Sequence, residues 1–183
     1  MKKILYILGD KNDRHSGIYK YSNEIIKILN PKNIKEIYLP DKNILIKYIT
    51  KFIVLPIYLI LYSKKFEKII FYEEGYAYLV LFSNCKKNIV IVHDVRFKYL
   101  GEKTFLEIIK NFYLKLNFNF LKYFNKIIVV SNETKKNISR YNNDLQNKIE
   151  IIHNIIKKPK VTKFNKTNLK KKYKIDNNKI VLL

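Results

Sequence analysis

The sequence predicts an α/β protein built on a doubly wound parallel sheet, a Rossmann-like fold. Short apolar runs rich in Ile, Val, Tyr and Phe recur along its 183 residues, and near-continuous apolar strands are typical of a parallel sheet covered on both faces. Stretches with apolar residues at helical spacing separate these runs, which indicates alternating strands and helices. The length allows one domain with a substantial core.

The first strand and helix are predicted near the start of the chain. Residues 4–8 are an uninterrupted apolar run that ends at Gly9, which predicts a buried strand. Apolar residues then recur at helical spacing over 18–29, and Pro31 ends the predicted helix.

The segment between this strand and helix is a candidate phosphate cradle. Ser16 can cap the helix, and Gly17 allows a ligand to approach the backbone. A helix that begins here directs N–H groups and a positive dipole end toward the carboxyl edge of the strand, where anions bind. Arg14 and Lys20 add positive charge to the same place.

The remaining elements continue the alternation. Five more strands are predicted at 35–39, 68–72, 88–92, 126–130 and 149–152. A helical stretch separates the second strand from the third. Thr104 and Glu107 form a capping box that predicts a helix extending to about residue 124. A last helix is predicted over 133–141.

Residues 52–62 are apolar throughout and allow two interpretations. Eleven residues fall short of the about 20 that span a bilayer, and Pro56 would kink or restart a helix. The segment is therefore either a buried core helix or an amphipathic helix on an anionic membrane face, with lysines at both of its ends.

Composition narrows the class of protein. A formal charge of +22 would ordinarily indicate nucleic acid or an anionic membrane surface as partner. The lysines are scattered, however, and only three arginines occur, whereas arginine is the usual reader of bases and phosphates. Nucleic acid is therefore disfavoured as a partner, and a compositional bias of an AT-rich coding sequence is favoured. The single cysteine, Cys85, and the lack of a signal-peptide pattern favour the cytoplasm.

The C-terminal part of the chain changes in character. Residues 1–156 are expected to form the Rossmann-like domain, and 157–177 a basic linker, since nine lysines and no acid lie between 157 and 174. Residues 178–183 begin another apolar strand. We expect this strand to start a second domain that the chain lacks.

Polar residues follow the predicted strands, where doubly wound sheets bind ligands. All three histidines do so: His15 follows the first strand, while the pairs His93-Asp94 and His153-Asn154 end two later ones. Glu73 and Glu74 end the third strand and add carboxylates to the same edge. We expect a polar cleft there, with His93-Asp94 as its strongest pair.

Other chemistries find little support in the sequence. There is no G-x-G-x-x-G dinucleotide motif, no Walker loop and no G-x-S-x-G nucleophile elbow. One cysteine and three separated histidines do not predict a zinc site, and no metal is expected.

Several segments, taken in order, resemble family 4 (group 1) glycosyltransferases. RHSGIYKYSNEIIKIL (14–29) is similar to the family's R-x-x-G-I-G-R-Y signature, and IVIVHDVRF (89–97) to its strand ending in His-Asp. NKIIVVSNETKKNI (125–138) resembles the family's D-x-I-I-x-V-S-x-x-T-K segment. KIEIIHNII (148–156) and KKYKIDNNKIVLL (171–183) resemble its strand ending in Asn-Gly and the start of its second domain.

The resemblance implies the N-terminal, acceptor-side half of a two-domain GT-B fold. Such enzymes transfer a sugar with retention of configuration from a nucleotide-sugar, here a co-substrate with no other cofactor, to a glycan or lipid-linked acceptor. It places Gly17 at the donor diphosphate, His93 beside the donor sugar and Ser131 in the cleft. Tyr19, Asn125 and Ile155 depart from the family pattern, standing where Gly, Asp and Gly are usual.

The missing second domain limits what the resemblance implies for this chain. In the family that domain holds the nucleotide and most of the basic diphosphate contacts. The chain is therefore expected to be truncated or split, to need a separately encoded C-terminal half, and to be inactive alone. The inner face of the membrane is an alternative location for it. The alternative function is a non-catalytic basic module that binds nucleic acid or an anionic membrane.

Overall fold

A computed structural model describes residues 4–10, 17–28, 33–40, 43–95 and 104–153. These residues form an α/β fold in which helices flank both faces of one six-stranded parallel sheet. The prediction of a Rossmann-like, doubly wound fold is confirmed. The predicted linker at 157–177 and the strand at 178–183 lie outside the described residues.

The strands occur where apolar runs predict them. They are β1 (Ile4–Asp10), β2 (Ile34–Leu39), β3 (Lys68–Phe71), β4 (Asn88–Val92), β5 (Lys126–Val129) and β6 (Ile149–Ile151). Their order across the sheet is β2-β1-β3-β4-β5-β6, and every neighbouring pair is parallel. All carboxyl ends therefore lie along one edge.

Five α-helices lie among the described residues. They are α1 (Gly17–Ile28), α2 (Ile44–Ile49), α3 (Leu55–Tyr62), α4 (Phe105–Phe120) and α5 (Asn132–Tyr141). The capping box of α4 is confirmed: the Glu107 N–H donates to the Thr104 hydroxyl at 3.3 Å, and the Thr104 N–H donates to the Glu107 carboxylate at 3.0 Å.

Alternate residues of the strands supply two hydrophobic clusters, one on each face of the sheet. Leu5 and Ile7 of β1 belong to the larger cluster, which α3, α4 and α5 also line. Tyr6 and Leu8 belong to the smaller cluster, to which α1 contributes Tyr21 and Ile25. This strict alternation follows from the two-residue period of a strand, and it explains why the strands are apolar on both faces.

The segment predicted at 52–62 belongs to a longer helical stretch. Helix α2, a π-helical turn (Thr50–Val54), α3 and a 3₁₀ turn (Ser63–Lys65) follow one another without a break. We call this stretch, Ile44–Lys65, the apolar helix. Its 22 residues are long and apolar enough to cross a membrane by length and composition.

The interpretation of 52–62 as a buried core helix is wrong for most of its residues. Leu55, Pro56 and Leu59 are buried, but Ile53, Ile57 and other apolar side chains of the apolar helix are exposed. The stretch rests on the domain through one narrow stripe. Pro56 restarts the helix as expected, because proline has no N–H and the π turn before it accommodates the missing hydrogen bond.

A 3₁₀ segment (Glu74–Phe82) follows β3 and lies between the apolar helix and α4. The Tyr113 hydroxyl of α4 donates to the Gly75 carbonyl at 2.6 Å, and the Tyr78 hydroxyl donates to the Lys51 carbonyl at 2.6 Å. Asn117 is fully buried; its side chain accepts from the Tyr78 N–H at 3.0 Å. These bonds tie both helices to the 3₁₀ segment that begins at Glu74.

Candidate functional site

His93 lies at the carboxyl edge of the sheet, directly after β4, and is partly buried. Its Nε2 atom is 3.2 Å from the carbonyl oxygen of Tyr72, which follows β3. Because a carbonyl oxygen can only accept, this contact requires Nε2 to carry the proton. The ring is thereby held in one tautomer and orientation between the ends of two adjacent strands.

Tyr21 of α1 is the second component of this edge. Its ring packs edge-on against the His93 ring, with centroids 5.4 Å apart, and its hydroxyl donates to the Ile152 carbonyl at 3.0 Å. Burial raises the pKa of Tyr21 to about 12, so the hydroxyl keeps its proton at neutral pH. Tyr21 therefore joins the end of β6 to His93.

Ser131 caps α5 at the same edge. Its Oγ atom accepts from the Thr134 N–H at 3.1 Å, and the Thr134 hydroxyl donates to the His93 carbonyl at 3.4 Å. The structure thus brings Ser131 and His93 together through Thr134, as the prediction of a shared cleft requires. This N-terminus of α5 carries Glu133 in its first turn, which offsets its positive dipole end.

Two other residues predicted at this edge, Asp94 and His153, have different surroundings. Asp94 is partly buried, and its carboxylate accepts from the Val95 N–H at 2.7 Å. His153 follows β6 and is exposed. Arg14, His15, Ser16 and Asn154, which the sequence places in or near the cleft, lie outside the described residues.

Gly9 and Gly17 differ in what surrounds them. Among the described residues, nothing lies within 4 Å of a Cβ atom placed at Gly17, the first residue of α1. The first turn of α1 also includes the exposed Lys20 and no acidic residue. A Cβ atom at Gly9 would lie 2.5 Å from the Tyr72 hydroxyl oxygen. A larger residue at position 9 would therefore clash with the Tyr72 ring.

Glu73 and Glu74 follow β3 but have different surroundings. Glu74 is 1% exposed and begins the 3₁₀ segment, whereas Glu73 is partly buried near Lys51 of the apolar helix. Burial lowers the pKa of Lys51 to about 8, although the negative charge of Glu73 acts in the opposite direction. The Lys51 ammonium lies 4.5 Å from the ring centroid of Tyr76, a cation–π contact that supports the amine.

Tyr72 connects this acidic pair to His93. Its carbonyl accepts from His93, and its ring lies 5.8 Å from the ring of Tyr76. The sequence patterns do not indicate Tyr72 or Lys51 as site residues, and Tyr21 fits the apolar spacing of α1. The one sequence feature that points to Tyr72 is that this aromatic residue directly precedes Glu73.

An open groove of about 620 Å³ lies elsewhere, beside α5 and the edge strand β6. Lys135, Lys136 and Arg140 give it a basic lining, and it contains none of the predicted cleft residues. We place the candidate site at His93 instead, because residues from three other segments, Tyr72, Tyr21 and Thr134, contact His93 there. Among the residues that the structure describes, no three His, Cys, Asp or Glu side chains are grouped to hold a metal ion.

A comparison of the chain with models of known protein families finds no match, and a comparison with curated proteins finds none either.

Proposed function

We propose that this chain is the N-terminal, acceptor-side half of a GT-B glycosyltransferase that transfers a sugar with retention from a nucleotide-sugar. The observation that carries the proposal is the convergence on His93. His93 bonds to the end of β3, contacts Tyr21 of α1, and is linked through Thr134 to the Ser131 cap of α5. Three of these residues, Tyr21, His93 and Ser131, lie in segments on which the resemblance to family 4 rests.

The start of α1 supports a donor-diphosphate role. Among the described residues, nothing lies within 4 Å of a Cβ atom placed at Gly17, and Lys20 is exposed in the same turn. Helix N–H groups and a lysine stabilise the negative charge that develops on a leaving diphosphate, so no metal is needed for that step. Arg14 and Ser16 of the preceding loop belong to this part of the proposal.

His93 and Asp94 are proposed to lie beside the donor sugar, because the bond to the Tyr72 carbonyl holds the imidazole at the carboxyl edge of the sheet. Glu73, Glu74, His153 and Asn154 are assigned to the acceptor side, where a glycan or lipid-linked acceptor would bind. The domain would act in the cytoplasm together with a donor-binding domain of the GT-B type.

The test is reconstitution. The chain is mixed with a donor-binding domain of the GT-B type, and transfer or hydrolysis of nucleotide-sugars is measured. We expect activity only from the mixture. His93→Ala should lower kcat by about 100-fold or more, the range typical of a residue that assists a reacting group.

Lys122→Ala is the control, because it removes an exposed polar side chain that has no place in the proposed site. It should lower kcat much less than His93→Ala. A mixture that is folded and associated but never acts on a nucleotide-sugar would refute the proposal. Equal activities of the His93→Ala mixture and the unaltered mixture would refute the role of His93.

A further inference from the structure

Two neighbouring helices of this domain present apolar side chains outward at helical spacing. On the apolar helix the outward stripe is Ile46, Ile49, Ile53, Ile57 and Ile60, each at least 42% exposed. On α4 it is Phe105, Ile109, Phe112 and Leu116, each at least 41% exposed. We call these two stripes together the apolar surface. An ordinary surface helix turns its polar side to water, so the outward periodicity indicates a non-aqueous partner.

The two stripes belong to one surface because an aromatic seam joins their helices. The Phe52 ring of the apolar helix lies 5.6 Å from the Tyr78 ring and 6.2 Å from the Tyr113 ring of α4. The apolar surface is therefore carried by a single packed unit, the two helices and the 3₁₀ segment between them.

Charge selects the kind of partner. The apolar helix contains Lys47, Lys51, Lys64 and Lys65 and no acidic residue. In α4 the one acid, Glu107, accepts from the Thr104 N–H in the capping box. A second copy of the chain, itself at +22, would set lysines against lysines. An anionic bilayer instead offers an apolar interior and negative headgroups together.

We infer that the apolar surface docks this domain on an anionic lipid bilayer, with the side chains of both stripes inserted at the level of the headgroups. The apolar helix lies along the membrane and does not cross it. Leu59 is fully buried in the core and the Tyr78 hydroxyl bonds to the Lys51 carbonyl, so a spanning helix would have to leave the sheet and uncover its core.

Docking also orients the domain. Helices that follow strands of a parallel sheet begin at its carboxyl edge, and the most exposed apolar residues stand at these helix starts: Ile44 at 71%, Phe105 at 75% and Leu106 at 77%. We therefore expect the domain to tilt toward these helix starts, which brings the carboxyl edge that carries His93 next to the lipid. If the proposed function holds, the acceptor is lipid-linked and reaches the site from the membrane; docking itself does not depend on that function.

The absence of tryptophan from the chain allows a direct test with single reporters. Tyr48→Trp and Phe112→Trp place one tryptophan on each helix of the apolar surface, and Tyr141→Trp on α5 is the matched aromatic control. The full-length variants are mixed with vesicles of phosphatidylcholine alone or of about equal parts phosphatidylcholine and phosphatidylglycerol. We expect a blue shift and quenching by brominated acyl chains for the first two variants only, and only with phosphatidylglycerol present.

A second pair of variants measures the contribution of the side chains themselves. Leu106→Glu and Phe112→Glu, combined in one chain, should lower the fraction sedimenting with anionic vesicles by about tenfold or more, because acidic side chains resist insertion. Both positions are exposed, so these changes should leave the fold intact. Circular dichroism checks that these variants remain folded.

Several results would overturn the inference. One is a folded chain that stays in solution with every vesicle. Another is equal quenching of all three tryptophans, which would mean adsorption without a defined surface. A blue shift that grows with protein concentration in the absence of lipid would assign the apolar surface to self-association. Resistance to alkaline carbonate extraction from cell membranes would indicate spanning. None of these measurements involves nucleotide-sugar chemistry, so they separate docking from the proposed function.

Discussion

The amine of Lys51 makes the stability of the fold depend on pH in a way that can be isolated. It is partly buried against Tyr76 and Tyr113, and Glu73 and Lys47 are the charged groups that act on it. Burial lowers its pKa from 10.5 to about 8. Between these values the unfolded chain still holds the proton that the folded chain has released. The free energy of unfolding must therefore rise with pH across this window.

The size of the effect follows from the two pKa values. The interval from about 8 to 10.5, at about 1.4 kcal/mol per pH unit, corresponds to at most about 3.5 kcal/mol. Lys51→Met keeps an unbranched chain between the rings and removes the charge. It should stabilise the protein by up to about 3.5 kcal/mol at pH 7, with the gain shrinking toward pH 10. Burial also raises the pKa values of Tyr76 and Tyr113, which lowers stability only above about pH 10.

Urea denaturation followed by circular dichroism between about pH 7 and pH 10 measures this difference. Lys64→Met is the matched control, because it removes one exposed lysine charge from the same apolar helix. The reasoning is refuted if Lys51→Met destabilises the protein at pH 7 and leaves its pH dependence equal to that of Lys64→Met.

Three further predictions concern packing, a buried hydrogen bond and a helix cap. Each is measured as a change in the free energy of unfolding. Gly9→Ala should cost about 1–3 kcal/mol because its Cβ meets the Tyr72 ring, and Tyr72→Ala in the same chain should remove most of that cost; additive losses would contradict the clash. Asn117→Ala should cost about 2–3 kcal/mol, since it leaves the Tyr78 N–H buried without its acceptor; a loss below about 0.5 kcal/mol would show that the bond is dispensable. Thr104→Ala should cost about 1 kcal/mol and Thr104→Ser much less, and equal losses would deny the cap its role.

The strands and their alternation with helices could be predicted because both depend on local sequence. A run such as that in β4 is apolar on both faces of the sheet, and the capping box of α4 is a pattern of two residues. The 3₁₀ segment Glu74–Phe82 was not predicted, since an apolar run without periodicity fits several structures. The start of the apolar helix could not be predicted because Lys47 and Lys51 interrupt the apolar run. In the structure Lys51 packs inward against aromatic rings.

Only the location of the candidate site could be predicted from the sequence, not the contacts that hold its residues. The rule that strand ends share an edge predicts the position of His93. Ser131 is indicated only by the resemblance to family 4, and in the structure Thr134 links it to His93. What holds His93 could not be predicted, because its contacts come from Tyr72 and Tyr21, which are distant in sequence. Tyr21 also occupies a core position of α1, and an apolar pattern does not show that a hydroxyl reaches beyond the core.

Tyr21 makes two contacts that connect the end of β6 to His93. One side chain holds the Ile152 carbonyl, where the chain leaves β6, and also touches the ring of His93. A displacement of the Ile152 carbonyl must therefore either break this hydrogen bond or move the Tyr21 ring. In the second case the imidazole loses one of the surfaces against which it packs. The orientation of His93 is thus coupled to the position of the backbone at the end of β6.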